Sequence, residues 1–150
     1  MKIFVMRHGE AEFHASSDKS RQLTVRGRLQ VETKAKSILC LLSEVDIILH
    51  SSYTRAKQTA EIMADTLKLK DVEELEHWTP DSDPRNAISS LEGVVDRTPL
   101  IVTHMPLISY VEALLCDGNM VSPAGFNCAE IVQIEAEWPA IGLGFNAIRF

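Results

Sequence analysis

Short apolar runs alternate with segments of helical periodicity along this chain, and this alternation restricts the fold more than any other feature of the sequence. The apolar runs at residues 2–6, 45–49 and 100–103 each end in polar residues, as strands buried on both faces do. The segments that follow carry apolar residues at intervals of three and four, which is the spacing of one helix face. Strands and helices in turn predict an α/β domain with a mainly parallel sheet and helices on both faces.

Four segments have helical periodicity or helix-start signals: Thr24 to about Leu42, Thr54–Leu67, Asp83 to about Gly93, and a segment that begins at His104-Met105-Pro106. Thr24 is a good N-cap residue, and Asp83-Pro84 combines an N-cap acid with proline at the first helical position. Residues 129–134 and 145–150 are expected to close the sheet. We therefore predict a three-layer α/β/α fold, with residues 1–150 as a single domain.

The composition is typical of a globular protein that needs no disulfide bonds, because 45% of its residues are hydrophobic. Its three cysteines, Cys40, Cys116 and Cys128, are odd in number and form no C-x-x-C pair, which predicts reduced thiols and a cytoplasmic protein. No apolar stretch is long enough to cross a bilayer, and the first apolar run is too short for the core of a signal peptide.

The net charge of -6 argues against a protein that binds nucleic acid or an acidic membrane surface. Its distribution is uneven, however. Residues 1–57 hold ten Lys/Arg and six Asp/Glu, a net charge of +4, whereas residues 58–150 hold five and fifteen, a net charge of -10. A basic first third on an acidic protein fits a local anion site, although uneven surface charge explains the pattern equally well.

Polar clusters follow three of the predicted strands: Arg7-His8-Gly9, then Ser51-Ser52 with Arg55, and then His104. The carboxyl ends of parallel strands meet at one edge of a sheet, where ligands bind in α/β domains. Taken singly, each residue is more often a surface ion pair or a satisfied polar group. Two guanidinium groups and two imidazoles at one edge, taken together, favour a site for a phosphoryl group.

The chemistry of these side chains fits phosphoryl transfer. Guanidinium groups bind phosphate oxygens in a bidentate manner, and a neutral imidazole can accept a phosphoryl group. A second imidazole, when protonated, can donate to the phosphoryl oxygens. Such transfer needs mainly positioning and charge neutralisation, so neither a metal nor a cofactor is expected. Gly9 would let the backbone approach a ligand closely, and Pro106 would leave the amides of the following helix free to face an anion.

Four blocks of sequence carry a family resemblance: Arg7–Ala11 (RHGEA), Leu23–Gln30 (LTxxGxxQ), Ser51–Ala60 (SSxxRAxQTA) and Thr103–Pro106 (THxP). In this order they resemble the motifs of the histidine phosphatase superfamily, which includes the phosphoglycerate mutases. The combination is far more specific than any one block. The resemblance implies a phosphoglycerate mutase-like fold.

The chain also resembles the small SixA-type members of that superfamily. Only 48 positions separate Arg55 from His104, where mutases and acid phosphatases carry long insertions. Ser17–Thr24 and Trp78–Pro80 resemble SixA-type segments as well. That subfamily removes phosphate from phosphohistidine on proteins of bacterial phosphorelays. The resemblance therefore implies a phosphohistidine phosphatase whose partner is a phosphorylated histidine-containing protein such as a phosphotransfer domain.

The resemblance also implies roles for individual residues. His8 would be the nucleophile, Arg7 and Arg55 would hold the phosphoryl oxygens, and His104 would stabilise the transferring group. Together with Gly9, these residues form the expected phosphate site.

Asp18 and Arg21 would line the entrance to this site by the same resemblance. From the residues alone, they could equally form an exposed ion pair that contributes little. The larger relatives use a glutamate as general acid. In this chain the general acid could be Glu76, His77 or Asp18, or could be absent.

Three other functions compete with a phosphohistidine phosphatase. A phosphatase for a small phosphoester would need a positioned acid, because an alkoxide leaving group requires a proton. A non-catalytic module that binds phosphoproteins would not need the nucleophile His8. A metal hydrolase that uses His8, His14 and His104 would lack both a carboxylate cluster and a His-x-x-x-His pair.

Overall fold

Six strands form a single mixed sheet in the structure, a computed structural model that describes all residues 1–150. The strands are β1 Lys2–Arg7, β2 Ile47–His50, β3 Val72–Glu74, β4 Pro99–Thr103, β5 Ile131–Ala136 and β6 Gly144–Arg149. The helices are α1 Val25–Ser37, α2 Thr54–Leu67, α3 Pro84–Ser90, which continues into a 3-10 turn at Leu91–Val94, and α4 Leu107–Asp117. The strand order across the sheet is β3-β2-β4-β1-β5-β6.

The first four strands in this order are parallel, and β5 and β6 are antiparallel to their neighbours. The prediction of a mainly parallel sheet in an α/β fold is thereby confirmed. In the registers of the parallel strands, Arg7 lies opposite Thr103 and His50 lies opposite Val102. The carboxyl ends of β1, β2 and β4 therefore meet at the same edge.

A hydrophobic core lies on each face of the sheet, so the structure has the three predicted layers. Alternate residues of β1 point to opposite faces, as the period of two requires: Ile3 and Val5 belong to one core, and Phe4 and Met6 to the other. The first core includes residues of α3 and α4 with the fully buried Trp78, and the second includes residues of α1 and α2.

The end of α1 and the presence of β3 differ most from the sequence prediction. Helix α1 ends at Ser37 rather than near Leu42, because Ile38 leaves helical geometry at φ -119° and the following residues form turns. Ile38 and Leu42 are nevertheless buried in the core, so their apolar spacing reflects burial and not a continuous helix. The short edge strand β3 was not predicted, because its sequence VEE has no apolar run.

Close packing fixes the loop after β1 against the start of α1. The Thr24 hydroxyl accepts a hydrogen bond from the Gly27 amide at 2.9 Å and donates one to Glu10 Oε1 at 2.8 Å. A Cβ atom on Gly27 would lie 2.0 Å from the Glu10 carbonyl oxygen, a separation that no side chain tolerates. Glycine at position 27 therefore lets the helix approach the loop that carries His8. None of the helices is both long enough and apolar enough to traverse a membrane.

Candidate active site

The parallel strands bring the predicted phosphate-binding residues to one edge of the sheet. Arg7 ends β1, with His8 directly after it, and His104 follows β4. The His8 amide donates to the Thr103 carbonyl at 3.1 Å, which extends the pairing of β1 with β4 by one residue. Arg55 lies in the first turn of α2, with only 4% of its surface exposed.

The His8 ring is held in one tautomer by two neighbours. Nδ1 donates to the Gly9 carbonyl at 2.6 Å, and Nε2 accepts a hydrogen bond from Arg55 Nε at 3.1 Å. Burial lowers the pKa of His8 to about 4, aided by the charges of Arg55, Arg7 and Arg21 and opposed by the hydrogen bond to Gly9. The imidazole is therefore neutral near pH 7, with its lone pair on Nε2, as a nucleophile requires.

His104 lies beside His8, with the two ring centroids 5.1 Å apart, and its edge packs on Tyr53. Burial lowers the pKa of His104 to about 2, and the charges of His8 and the three arginines act in the same direction. The expectation that this imidazole is protonated does not hold for the protein alone. A neutral ring still carries one N–H that can donate to a phosphoryl oxygen.

Unsatisfied nitrogen atoms are concentrated at this edge. The buried side-chain polar atoms without a hydrogen-bond partner are Arg7 Nε and both ring nitrogens of His104. Arg7 Nη1 donates to the Phe126 carbonyl, which anchors one end of that guanidinium. Because nearly all buried polar atoms in proteins have partners, the free N–H groups, at Arg7 Nε and on one nitrogen of the neutral His104 ring, favour an anion as the ligand.

The Arg55 guanidinium donates through all three of its nitrogens, twice to Asp18 in the loop before α1. Besides the bond from Nε to His8, Nη1 donates to the Asp18 carbonyl at 2.7 Å and Nη2 donates to Asp18 Oδ2 at 3.2 Å. Burial lowers the pKa of Arg55 from its ordinary value of 12.5, against the opposing effect of Asp18. At neutral pH the side chain stays charged, because arginine starts so far above it.

Asp18 joins two arginines, so the ion pair considered from the sequence is present, and the role at the entrance stays a prediction. Its Oδ1 accepts from Arg21 Nη1 at 2.8 Å, while its Oδ2 accepts from Arg55. The hydrogen bond from Arg21 lowers the pKa of Asp18 most, desolvation opposes it, and the hydrogen bond and charge of Arg55 lower the pKa further. The ionised carboxylate is half exposed, with 53% of its side chain accessible, and it is poorly suited to donate a proton.

The packing around Gly9 leaves no room for a side chain. A Cβ atom there would lie 2.7 Å from the Gly27 carbonyl oxygen and 2.8 Å from Val31 Cγ2. Its amide donates to the Thr59 hydroxyl at 3.2 Å, and its carbonyl accepts from His8. Contact between Gly9 and a ligand stays a prediction.

The start of α4 differs from the sequence expectation. The Ile108 amide donates to the His104 carbonyl, and the Ser109 and Tyr110 amides donate to the Pro106 carbonyl. These three amides are satisfied within the chain and do not face an anion. The prediction that Pro106 leaves helix amides free is wrong for these three, whereas the Leu107 amide has no partner in the chain and its contact with an anion stays a prediction.

Three residues considered in the sequence do not join the cluster. Glu76 and His77 follow β3, are exposed, and make no hydrogen bond with the site residues. His14 is also exposed, in the loop that carries Asp18. No three His, Cys, Asp or Glu side chains come together in a way that could hold a metal ion.

Several contributors to the site had no signal in the sequence. Phe126 contributes its main-chain carbonyl to Arg7, and carbonyls belong to every residue type. Tyr53 packs against His104 and lies under the Arg55 guanidinium at 5.0 Å. Thr59 joins the Gly9 amide to the Arg55 carbonyl through its hydroxyl. For Tyr53 and Thr59, the one available indication was that both lie in the Ser51–Ala60 block.

Comparison with known sequences identifies relatives over most of the chain. The sequence profile of the histidine phosphatase superfamily (branch 1) matches residues 3–79. Phosphohistidine phosphatase SixA of Escherichia coli K12 is 32% identical over 138 residues, which cover 89% of this chain and 84% of that protein. A phosphohistidine phosphatase SixA homolog of Haemophilus influenzae is 34% identical over 145 residues, which cover 89% and 87%.

Solved structures agree with this grouping. The structure of the protein histidine phosphatase SixA complexed with tungstate superposes with a TM-score of 0.87 at 30% identity, covering 99% of this chain and 96% of that one. A mycobacterial glucosyl-3-phosphoglycerate phosphatase complexed with VO3 superposes with a TM-score of 0.73 at 16% identity, covering 99% and 96%. The second similarity concerns the fold alone.

The neutral state of the two buried histidines predicts how the free energy of unfolding depends on pH. An unfolded histidine takes up a proton near its ordinary pKa of 6.5, whereas folded His8 and His104 do so only near 4 and 2. The free energy of unfolding should therefore decrease as the pH falls below 6.5, by about 1.4 kcal/mol per pH unit for each histidine. In H104Q this decrease should be roughly half as steep.

Urea unfolding at a series of pH values between about 7 and 4 measures this slope. H14Q, which changes an exposed histidine, is the matched control and should keep the slope of the parent. Equal slopes in H104Q and the parent would contradict the prediction.

Proposed function

The chain belongs to the histidine phosphatase superfamily (branch 1), and we propose that it is a metal-independent phosphohistidine phosphatase that transfers a phosphoryl group to His8 and then to water. One observation carries the proposal: the buried nitrogens without partners, Arg7 Nε and both nitrogens of His104, accompany a histidine whose Nε2 is already oriented as a nucleophile. An incoming phosphoryl group would satisfy the free donors and meet the nucleophile in the same place.

In the first step, His8 Nε2 attacks phosphorus as the bond from phosphorus to the substrate nitrogen breaks. The electron pair of that bond goes to the leaving imidazole, which needs no separate acid when its ring is protonated. For the attack, Nε2 must exchange its hydrogen bond from Arg55 for a bond to phosphorus. Arg55 Nε is thereby released, 3.1 Å from Nε2, where it can donate to a phosphoryl oxygen.

In the second step, water attacks the phosphorus carried by His8 and the nitrogen–phosphorus bond breaks. Dihydrogen phosphate, which keeps both protons of the water, leaves, and His8 recovers the lone pair on Nε2. Arg7, Arg55 and His104 serve both steps by holding the phosphoryl oxygens as charge develops. A bound dianion would also raise the pKa of His104, because an opposite charge favours the protonated ring.

Asp18 has a part in this scheme that follows from its charge. Its carboxylate accepts one N–H of Arg55 Nη2, and the second N–H of that nitrogen can donate to a phosphoryl oxygen. The Asp18 carbonyl meanwhile holds Nη1 and keeps the guanidinium in place. We propose that Asp18 and Arg21 line the entrance, where they orient Arg55 until an anion arrives.

Two features favour phosphohistidine on a protein over a small phosphoester. The Asp18 carboxylate at the entrance is ionised, so it is not suited to protonate an alkoxide leaving group. None of the five principal surface clefts is lined by Arg7, His8, Arg55 or His104, and an open site suits a protein substrate better than a small metabolite, which is usually enclosed. We infer that the partner is a phosphorylated histidine-containing protein, such as a phosphotransfer domain of a phosphorelay.

The remaining expectations follow from the same assignment. We propose that residues 1–150 form one histidine phosphatase domain, since both hydrophobic cores pack on one sheet. We also propose a cytoplasmic location, which suits the three free thiols of Cys40, Cys116 and Cys128.

Substrate preference tests the proposed function directly. We expect kcat/KM to be higher for a phosphorylated histidine-containing phosphotransfer domain than for sugar, nucleotide and glycerate phosphates. Release of inorganic phosphate, measured with each substrate, gives the comparison. A small phosphoester that exceeds the phosphoprotein by about a hundredfold, or about 2.7 kcal/mol of transition-state preference, would assign the enzyme to small metabolites instead.

Covalent trapping tests the nucleophile. Rapid quenching during turnover should give phosphate on His8 in an acid-labile, base-stable form. H8A should form no such species and lose several orders of magnitude in turnover, because the covalent route is absent. H14Q should trap phosphate as the parent does. Phosphate that maps to a serine or cysteine would exclude His8 as the acceptor.

Replacement of the arginines by lysine tests the guanidinium contacts. Lysine keeps the charge but has no planar fork, so R7K and R55K should each lose about 2–4 kcal/mol of transition-state stabilisation. Steady-state kinetics with the phosphoprotein measure the loss as kcat/KM. R85K, which changes an exposed arginine in α3, serves as the control. Rates for R7K and R55K as high as that of R85K would show that charge alone suffices.

A further inference from the structure

A second cleft, outside the phosphate site, lies between α2 and the strands β2 and β3. Its volume is about 490 Å³, and its polar lining consists of His50, Lys57, Glu61, Asp65 and Glu74. None of these residues has a part in the chemistry proposed for His8. The phosphate-site residues Arg55 and Thr59 are buried on α2, whereas Lys57 and Glu61 are exposed on the same helix.

His50 contributes an unused hydrogen-bond acceptor to this cleft. Only 6% of the residue is exposed, and its Nδ1 donates to the Ser51 carbonyl at 2.8 Å. No group of the protein bonds to Nε2, which is the ring atom left to bond a ligand. Part of the Nε2 surface is open to the cleft, where a ligand N–H could take the place of water.

The charge of the cleft indicates the sign of that ligand. Glu61, Asp65 and Glu74 form no ion pair with any basic residue of the chain. Lys57 is the one basic residue in the lining, so the formal charge of the cleft is -2. A cleft of this charge attracts a cation.

The size and spacing of the cleft favour an organic cation over a metal ion. No three of its His, Asp and Glu side chains approach closely enough to hold a metal. The volume greatly exceeds that of a single ion, and apolar side chains, among them Leu69 and Val72, form part of the wall. A ligand with several separated donors and a short hydrocarbon stem would use both parts of this lining.

We propose that this cleft binds an alkylguanidinium group. Its planar fork can donate to His50 Nε2 and to the carboxylates at once, which a compact ammonium group cannot do from one position. The methylene stem would pack against Leu69 and Val72, as the stems of long basic side chains do on apolar surfaces. The group could belong to an arginine side chain of another protein or to a free guanidinium compound.

Nuclear magnetic resonance of the intact protein tests the proposal. The His50 ring protons, assigned with H50V, are followed during titration with ethylguanidinium, with ethylammonium and with a capped Ala-Arg-Ala peptide. Ethylguanidinium should shift them saturably with a Kd on the order of 1 mM, and ethylammonium should bind more weakly. E61Q/E74Q should weaken binding by about tenfold or more, because charge-assisted hydrogen bonds are lost. E92Q, in the 3-10 turn, should leave it unchanged.

Each result has a defined meaning. Binding of both ethylguanidinium and the peptide supports an arginine side chain as the natural ligand, and binding of ethylguanidinium alone supports a small compound. Unmoved His50 protons, or equal binding by E61Q/E74Q and E92Q, would overturn the proposal. A response to Zn²⁺ with none to ethylguanidinium would also overturn it and would identify a metal site. Trapping of phosphate on His8 should be unaffected by H50V, so this proposal and the proposed phosphatase activity stand or fall separately.

Discussion

The hydrogen bond from Arg55 Nε to His8 Nε2 connects all parts of the candidate site. It joins the first turn of α2 to the end of β1, and the same guanidinium holds the Asp18 loop through two further bonds. With the Gly9 carbonyl on the other nitrogen, it leaves the His8 lone pair on Nε2. The parallel register of β1, β2 and β4 brings these partners together, because all three strands end at one edge.

The site concentrates positive charge in a place where little solvent reaches. Arg55 is buried, and three guanidinium groups act on two neutral histidines. Within the chain, Asp18 is the carboxylate that offsets this charge at Arg55. Buried nitrogens without partners and buried cations in a low dielectric lower the stability of the protein alone. Binding of an anion would offset this loss of stability. A phosphoryl group would supply both the hydrogen-bond acceptors and the negative charge.

Most of the fold was predictable because its signals are local. The apolar runs located β1 and β4, the periodicity bounded α2 at Thr54–Leu67, and Asp83-Pro84 marked the start of α3. The failures occur where tertiary contacts override local signals. Strand β3 exists because β2 offers it a parallel partner, and Ile38 and Leu42 are buried without a helix to align them.

The sequence by itself determined which functional groups stand at the ends of the strands, and its four motif blocks indicated the family. It could not determine the protonation or orientation of those groups, because a tautomer depends on carbonyls and donors far along the chain, and a pKa depends on burial. The neutral state of His104, the anchoring of Arg7 by the Phe126 carbonyl and the free Nε2 of His50 arise only when the strands are paired and α2 packs on them. The tertiary structure decided these properties, since hydrogen bonds to the main chain and exclusion of water cannot be inferred from residue types alone.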